Sequence, residues 1–206
     1  MIKDLLDPDE YPGLYQVLVK QDRVPFEHVH YDEIEGFNFQ AIKLAYSEKQ
    51  RYHHTLLHLD KMCSLLISML EDDSFLLVTE AITSREDFIT FILAILYHDF
   101  VYNPLVKDNE ERSSESFRKR FNSEDESYDL KRVLEIIRSS DLTKEVKEGS
   151  LEDLFRNLDC EGFTNSKENL LKNELNIMKE YQFLSWEEYQ KGRREFFNKI
   201  VDFRIG

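Results

Sequence analysis

The amino-acid sequence predicts an all-α protein folded as a single-domain helical bundle, and three observations carry that expectation. The chain has 206 residues, 41% of them hydrophobic, which is the size of one ordinary domain with material for a sizeable core. Only 6 glycines and 4 prolines interrupt it, too few breaks for many short strands. From about Phe37 onward, apolar residues recur at spacings of three and four, the period of an amphipathic helix.

Residues 1–36 are mixed in character, with Pro8, Pro12 and Pro25 punctuating short apolar clusters. They are expected to form an N-terminal extension packing on the domain made by 37–206. Residues 38–69 read as one long helix or two joined near Arg51. In the second part His54, His58, Met62, Leu65, Leu66 and Met69 form one continuous face. Thr83 and Glu86 make a T-x-x-E capping box before the next helix. That helix, DFITFILAILYHDF, is apolar nearly all round and so is expected at the centre of the bundle; Pro104 prevents its continuation far past His98 and Asp99. Asp108 is placed to cap a helix beginning NEERSSESF, with acidic residues in its first turn. DLKRVLEIIRSS reads as a short amphipathic helix, LEDLF as helical and CEGFTN as a turn. Ser185 and Glu188 form a second S-x-x-E box opening the last helix, WEEYQKGRREFFNKIVDF.

The net charge is −14, from 41 acidic against 27 basic residues. Such a surface repels nucleic-acid phosphates and argues against duplex nucleic acid as a partner. A small anionic substrate is still compatible, because a metal and a few cations reverse the local field. Cys63 and Cys160 form no paired spacing and read as reduced thiols of a cytoplasmic protein. The start, MIKDLLDPDEYPG, lacks the basic and apolar regions of a signal peptide. The longest apolar stretch, around Phe88 to Tyr97, is too short to span a membrane.

All six histidines precede residue 100. In RYHHTLLH, a continuous helix would put Arg51, His54 and His58 on one face. Two imidazoles beside a guanidinium suit a site where a metal holds one oxygen of an anion and arginine holds another. His53 falls off that face, in a packing or surface position. The His98-Asp99 pair ends the most apolar helix, where two hydrophilic side chains are costly unless paired or metal-bound; taken alone, such a dipeptide is more often solvated where a helix surfaces. Glu27 and His30 match the E-x-x-H spacing of di-iron bundles, but once only and beside Pro25, where a strand or loop is expected, so this is a minor reading. Arg193 shares an inward stripe with Tyr189, Phe196, Phe197 and Ile200, and a structural ion pair is its expected role.

Taken together, RYHHTLLHL at 51–59, ILYHDFVYNP at 95–104 and DNEERSSESF at 108–117 resemble the metal-dependent HD phosphohydrolases of bacteria. Weaker echoes lie in NLDCEGF at 157–163 and YQKGRREFF at 189–197. The resemblance spans most of residues 37–202 and leaves the first 36 unmatched. It implies a bundle of the HD-domain type and a divalent metal held by His58, His98, Asp99 and one later carboxylate, Asp159 or alternatively Glu161. The chain departs from the family in two places. Where the family often has two aspartates separated by one residue, it reads Asp159-Cys160-Glu161-Gly162. Where the family tends to carry a late histidine, it has Asp141-Leu142, so a two-metal site with late imidazoles is not available.

Nitrogen and oxygen ligands without thiolate suit Mn, Fe, Co, Ni or Mg better than structural zinc. The expected activity is hydrolysis of a small phosphorylated substrate, such as a nucleotide, by metal-activated water. Arg51, His54 and Arg112 would contact phosphoryl oxygens, and Glu110, or Asp108 as its alternate, would serve as general acid or base. The rival expectations are a catalytically degenerate HD fold acting as a binding or regulatory protein and, third, an HD-type iron oxygenase.

Overall fold

The computed structural model describes residues 1–72, 76–122, 124–160 and 166–205, apart from the side chains at 76, 77, 79 and 202–205. The described residues are helical, with no strand among them. In chain order the helices are α1 (Pro12–Tyr15), α2 (Phe39–Ala45), α3 (Leu56–Glu71), α4 (Leu76–Ala81), α5 (Arg85–Tyr97), α6 (Asn109–Arg120), α7 (Leu130–Ser139), α8 (Leu151–Cys160), α9 (Lys167–Glu180) and α10 (Trp186–Ile205).

α5 is the axis of the bundle. Every residue from Phe88 to Tyr97 is buried, and α3, α6, α7 and α8 all pack on it. Its start is fixed by a capping box one residue later than the sequence suggested. Ser84 accepts from the Asp87 backbone N–H, and the Asp87 carboxylate accepts from the Ser84 N–H. Asp87 also takes the Thr83 N–H and hydroxyl, so Thr83 is drawn into the box as a donor and Glu86 is left out of it. The second box forms as expected, with the Glu188 carboxylate accepting from the Ser185 N–H at 2.9 Å.

The region 38–69 forms two helices joined around Arg51, the second of the two expected arrangements, but the join is a ten-residue turn. α2 ends at Ala45, and α3 begins only at Leu56, after Thr55. Residues 46–55 turn between them, which moves Arg51, His53 and His54 off the helix that carries His58.

The first 36 residues lie against the bundle. α1 crosses α3 so closely that a Cβ on Gly13 would collide with Ser64 Oγ and the Asp60 carbonyl. Buried Asp60 accepts the Leu14 N–H at 2.9 Å, satisfying a free donor at the start of this short helix. Burial pushes the Asp60 carboxyl up. Gly36, at φ +91°, abuts the Arg120 carbonyl at the end of α6, a conformation and a closeness that a side chain would not permit. Leu14, Val17 and Tyr31 from this segment belong to the same apolar core as Phe91, Ile137 and Phe155.

Both cysteines are buried, and neither is in a disulfide among the described residues. Among the described residues no helix is long and apolar enough to cross a membrane.

Candidate metal centre

Three helices bring one ligand group each to a common point. His58, in the first turn of α3, places Nε2 2.9 Å from Oδ1 of Asp159, near the end of α8. His98, the residue that caps the C-terminus of α5, places Nε2 3.7 Å from the same oxygen. Donor atoms of His58, His98 and Asp159 all lie within 4.8 Å of one another. Asp99 Oδ2 adjoins the cluster, 3.0 Å from His98 Nε2. The predicted ligands His58, His98, Asp99 and Asp159 are thus drawn together; Glu161, the alternative, lies outside the described residues.

His98 decides what this cluster suits. Its Nδ1 donates to the Ile95 carbonyl at 2.9 Å, which points Nε2 into the cluster. Nε2 is fully buried and, for want of alignment with Asp99, has no hydrogen-bond partner. An imidazole anchored through one nitrogen, with the other aimed among carboxylate oxygens, is how a metal-binding histidine is normally presented. A buried polar atom without a partner costs about 1–3 kcal/mol, and a divalent cation among His58, His98 and Asp159 would remove that cost. The residues present therefore fit a metal ion.

The electrostatics agree. Burial opposes charge on His98, but Asp99 and then Asp159 outweigh it and push the imidazole up to about 9. Asp99 is held far below the usual carboxylate range: burial works against its charge, and His98 and His54 more than offset it. Asp159 is also lowered, through its bond to His58 and the charge of His98, against burial. Two carboxylates kept ionised beside an imidazole that holds an extra proton form a place where a cation can replace that proton.

Two cavities open onto the centre, of about 400 Å³ and about 370 Å³. His53 and Asp159 line both, so the cluster sits where the two adjoin. The first is walled by α3 and α9 through Thr55, Lys61, Asn169, Lys172, Asn173 and Asn176. The second holds His54, His98, Asp99, Glu110 and Asp141. The segment Asp141-Leu142 also lines this second cavity.

Of the other predicted residues, His54 and Glu110 face the second cavity. Burial, helped by the Asp99 charge, pushes the Glu110 carboxyl up. Asp108 and Arg112 line neither cavity; they pair with each other at 2.8 Å, with about half of each side chain exposed. Residues two apart on a helix point about 200° apart, so turning Glu110 inward turns Arg112 out. The Asp108 carboxylate takes the Arg112 guanidinium and caps no helix N–H.

Arg51 is not a substrate clamp. Its side chain is 0% exposed, stacked between Tyr46 and Tyr102. Its guanidinium donates to Glu48 at 3.0 Å, to the Asp99 carbonyl at 2.7 Å and to the Phe100 carbonyl at 3.1 Å. The carbonyls at the end of a helix have no partners of their own, and Arg51 is committed to those just past α5. Arg193 forms the expected ion pair, a two-point contact with Glu174. His53, expected to pack or lie on the surface, lines both cavities, with its ring 5.2 Å from that of His58. Glu27 and His30 are exposed on an irregular segment without helix, so they lack the shared helical face that a di-iron motif needs.

No protein-family model matches the chain, and neither a curated protein nor a solved structure matches it.

One buried residue of the site has no counterpart in the sequence reading. Glu180, at the end of α9, takes the backbone N–H groups of Tyr52, His53 and His54 on Oε1 at 2.6, 2.7 and 3.1 Å. Its Oε2 takes His54 Nδ1 at 2.6 Å and the Tyr102 hydroxyl at 2.7 Å. Burial opposes its charge, but the bond and charge of His54, with Tyr102 and the backbone, hold it at about 2. His54 is thereby fixed with Nε2 3.9 Å from Asp99 Oδ2, its ring stacked on Tyr102 at 4.2 Å. Against burial, Asp99 and Glu180 raise the His54 pKa. The available signal was the four-three spacing of Asn173, Ile177 and Glu180, which are the buried residues of α9.

Proposed function

We propose that the chain is a metal-dependent phosphohydrolase of the HD type, hydrolysing a phosphate ester or anhydride of a small metabolite such as a nucleotide. The observation that carries this reading is the buried Nε2 of His98, which makes no hydrogen bond, beside His58 and Asp159, at a point two cavities reach. The three resembling segments supply the remaining support, since they contain His58, His98, Asp99 and Glu110.

His58, His98 and Asp159 would hold the cation, with Asp99 beside His98. A divalent ion of the Mn, Fe, Co, Ni or Mg group supplies Lewis acidity, which acidifies water and polarises a phosphoryl oxygen. The protein's own groups do the rest. Glu110, with its pKa raised, accepts the proton that the attacking water sheds. His54, held by Glu180 and with its pKa raised, would donate to a phosphoryl oxygen and stabilise charge developing there. The water oxygen would bond to phosphorus as the P–O bond to the leaving group breaks, and the departing oxygen would take up the proton that Glu110 received, directly or through solvent.

The test is elemental analysis of purified protein, wild type against His58→Ala, followed by a phosphatase panel with added Mn and Co. Near-stoichiometric metal and hydrolysis in the wild type, both lost in the variant, are expected. Metal without turnover on any phosphate would instead fit a degenerate HD fold that binds a ligand; two irons per chain with oxygen consumption would fit an oxygenase.

A further inference from the structure

The two cavities that meet at Asp159 differ in charge. The second carries Asp99, Glu110, Asp141, Asp159 and Glu195 against Lys107, Arg193 and Lys199, and Arg193 is committed to Glu174. In the first, Asp159 is the sole carboxylate among the described residues, and it faces Lys61 and Lys172. Neither lysine makes an ion pair among the described residues, although 41 acidic residues are on offer.

We infer that the first cavity is the substrate-body subsite, selecting a compact, doubly anionic phosphate ester. Its phosphoryl group would reach the metal centre, and its second anionic group, phosphate or carboxylate, would lie between Lys61 and Lys172. This rests on the phosphohydrolase reading and extends it.

The two ammonium groups repel each other across the cavity: burial and then the Lys172 charge lower the Lys61 pKa. An acidic protein that leaves two like charges together, without a carboxylate between them, leaves room for an anion. The first turn of the 14-residue helix α9 adds the positive end of its dipole, since Asn169 there lines the cavity. Asn169, Asn173 and Asn176 recur on one face of α9 and line the cavity alongside Lys172. Carboxamides both donate and accept, which suits the hydroxyl groups of a polyol linking two anionic ends. With the ester on this side, water reaches phosphorus from the acid-lined cavity that holds Glu110, so substrate and nucleophile need not share one entrance.

The test compares kcat/KM of the Mn-loaded protein for fructose 1,6-bisphosphate, 3-phosphoglycerate and fructose 6-phosphate. Preference for the bisphosphate or for the phosphocarboxylate over the monophosphate identifies the second anion, and about tenfold or more is expected. Joint Lys61→Gln and Lys172→Gln substitution should bring that ratio near one, whereas Lys131→Gln, at an exposed residue that lines neither cavity, should leave it intact. Hydrolysis without the preference, or a preference that survives the double substitution, overturns the subsite and leaves the phosphohydrolase reading standing. Absent hydrolysis, with calorimetric binding of fructose 1,6-bisphosphate that weakens about tenfold in the double variant, keeps the subsite and overturns the hydrolase. Neither hydrolysis nor such binding overturns both.

Discussion

Two buried polar centres flank Asp99 and are built on opposite principles. On the α3–α5–α8 side, His98 Nε2 is enclosed with no hydrogen-bond partner. On the α9 side, Glu180 accepts five hydrogen bonds, three of them from consecutive backbone N–H groups. A group left unsatisfied in a core is a cost to folding that binding can remove, whereas a saturated one contributes its full worth to the fold before any ligand arrives. The difference separates a centre made to receive something from a centre made to hold the loop 46–55 against the bundle.

The largest expected effect falls on the saturated side. Glu180→Ala strands three backbone N–H groups, the Tyr102 hydroxyl and the ring of His54, so it should lower unfolding free energy by about 3–5 kcal/mol. Urea denaturation of metal-free protein measures this directly. A loss below about 1 kcal/mol would mean that water replaces the carboxylate easily, and the contrast with His98 would collapse.

On the open side the effect should appear in binding. His98→Ala should weaken affinity for Mn or Co by about 100-fold or more, because even indirect supports of metal ligands matter by 10–100-fold. Titration calorimetry on wild type and variant checks this. Glu180→Gln, which keeps an acceptor in place, should weaken metal far less. If the two variants lost metal equally, His54 and its buttress would belong to the ion's own shell, and the division drawn here would be wrong.

The same division explains what could be read from residues alone. His58, His98 and Asp99 stood out as a histidine pattern and a polar doublet ending an apolar helix, but only the resemblance joined them into one site. Asp159 was legible only through the resemblance, since an aspartate on an amphipathic helix is otherwise unremarked. Glu180 obeys every local rule: it is one of many acids on a charged helix, and its importance comes from a turn 126 residues away in sequence. Arg51 was misread for a related reason. Helical spacing put it beside His54 and His58, but the chain turns through 46–55, and the free carbonyls beyond α5 claim its guanidinium. The capping box at α5 slipped by one residue because Thr83-x-x-Glu86 and Ser84-x-x-Asp87 overlap and both satisfy the pattern. Periodicity predicts which face is buried, but not which of two overlapping caps closes or which distant carbonyl needs a donor.

The smallest expected effect belongs to a pair that the sequence placed in the site. Asp108 and Arg112 form an i, i+4 ion pair with about half of each side chain in solvent, and such pairs contribute about 0–1 kcal/mol. Arg112→Ala should therefore shift stability by no more than about 0.5 kcal/mol and leave metal content and KM for a phosphate ester unchanged. Steady-state kinetics at low ionic strength are the stringent measurement, because there an exposed charge exerts its longest reach. A severalfold rise in KM would show that α6 turns Arg112 toward the second cavity when substrate binds. Glu110 and Arg112 would then act from the same side, which the helix does not allow without rotating.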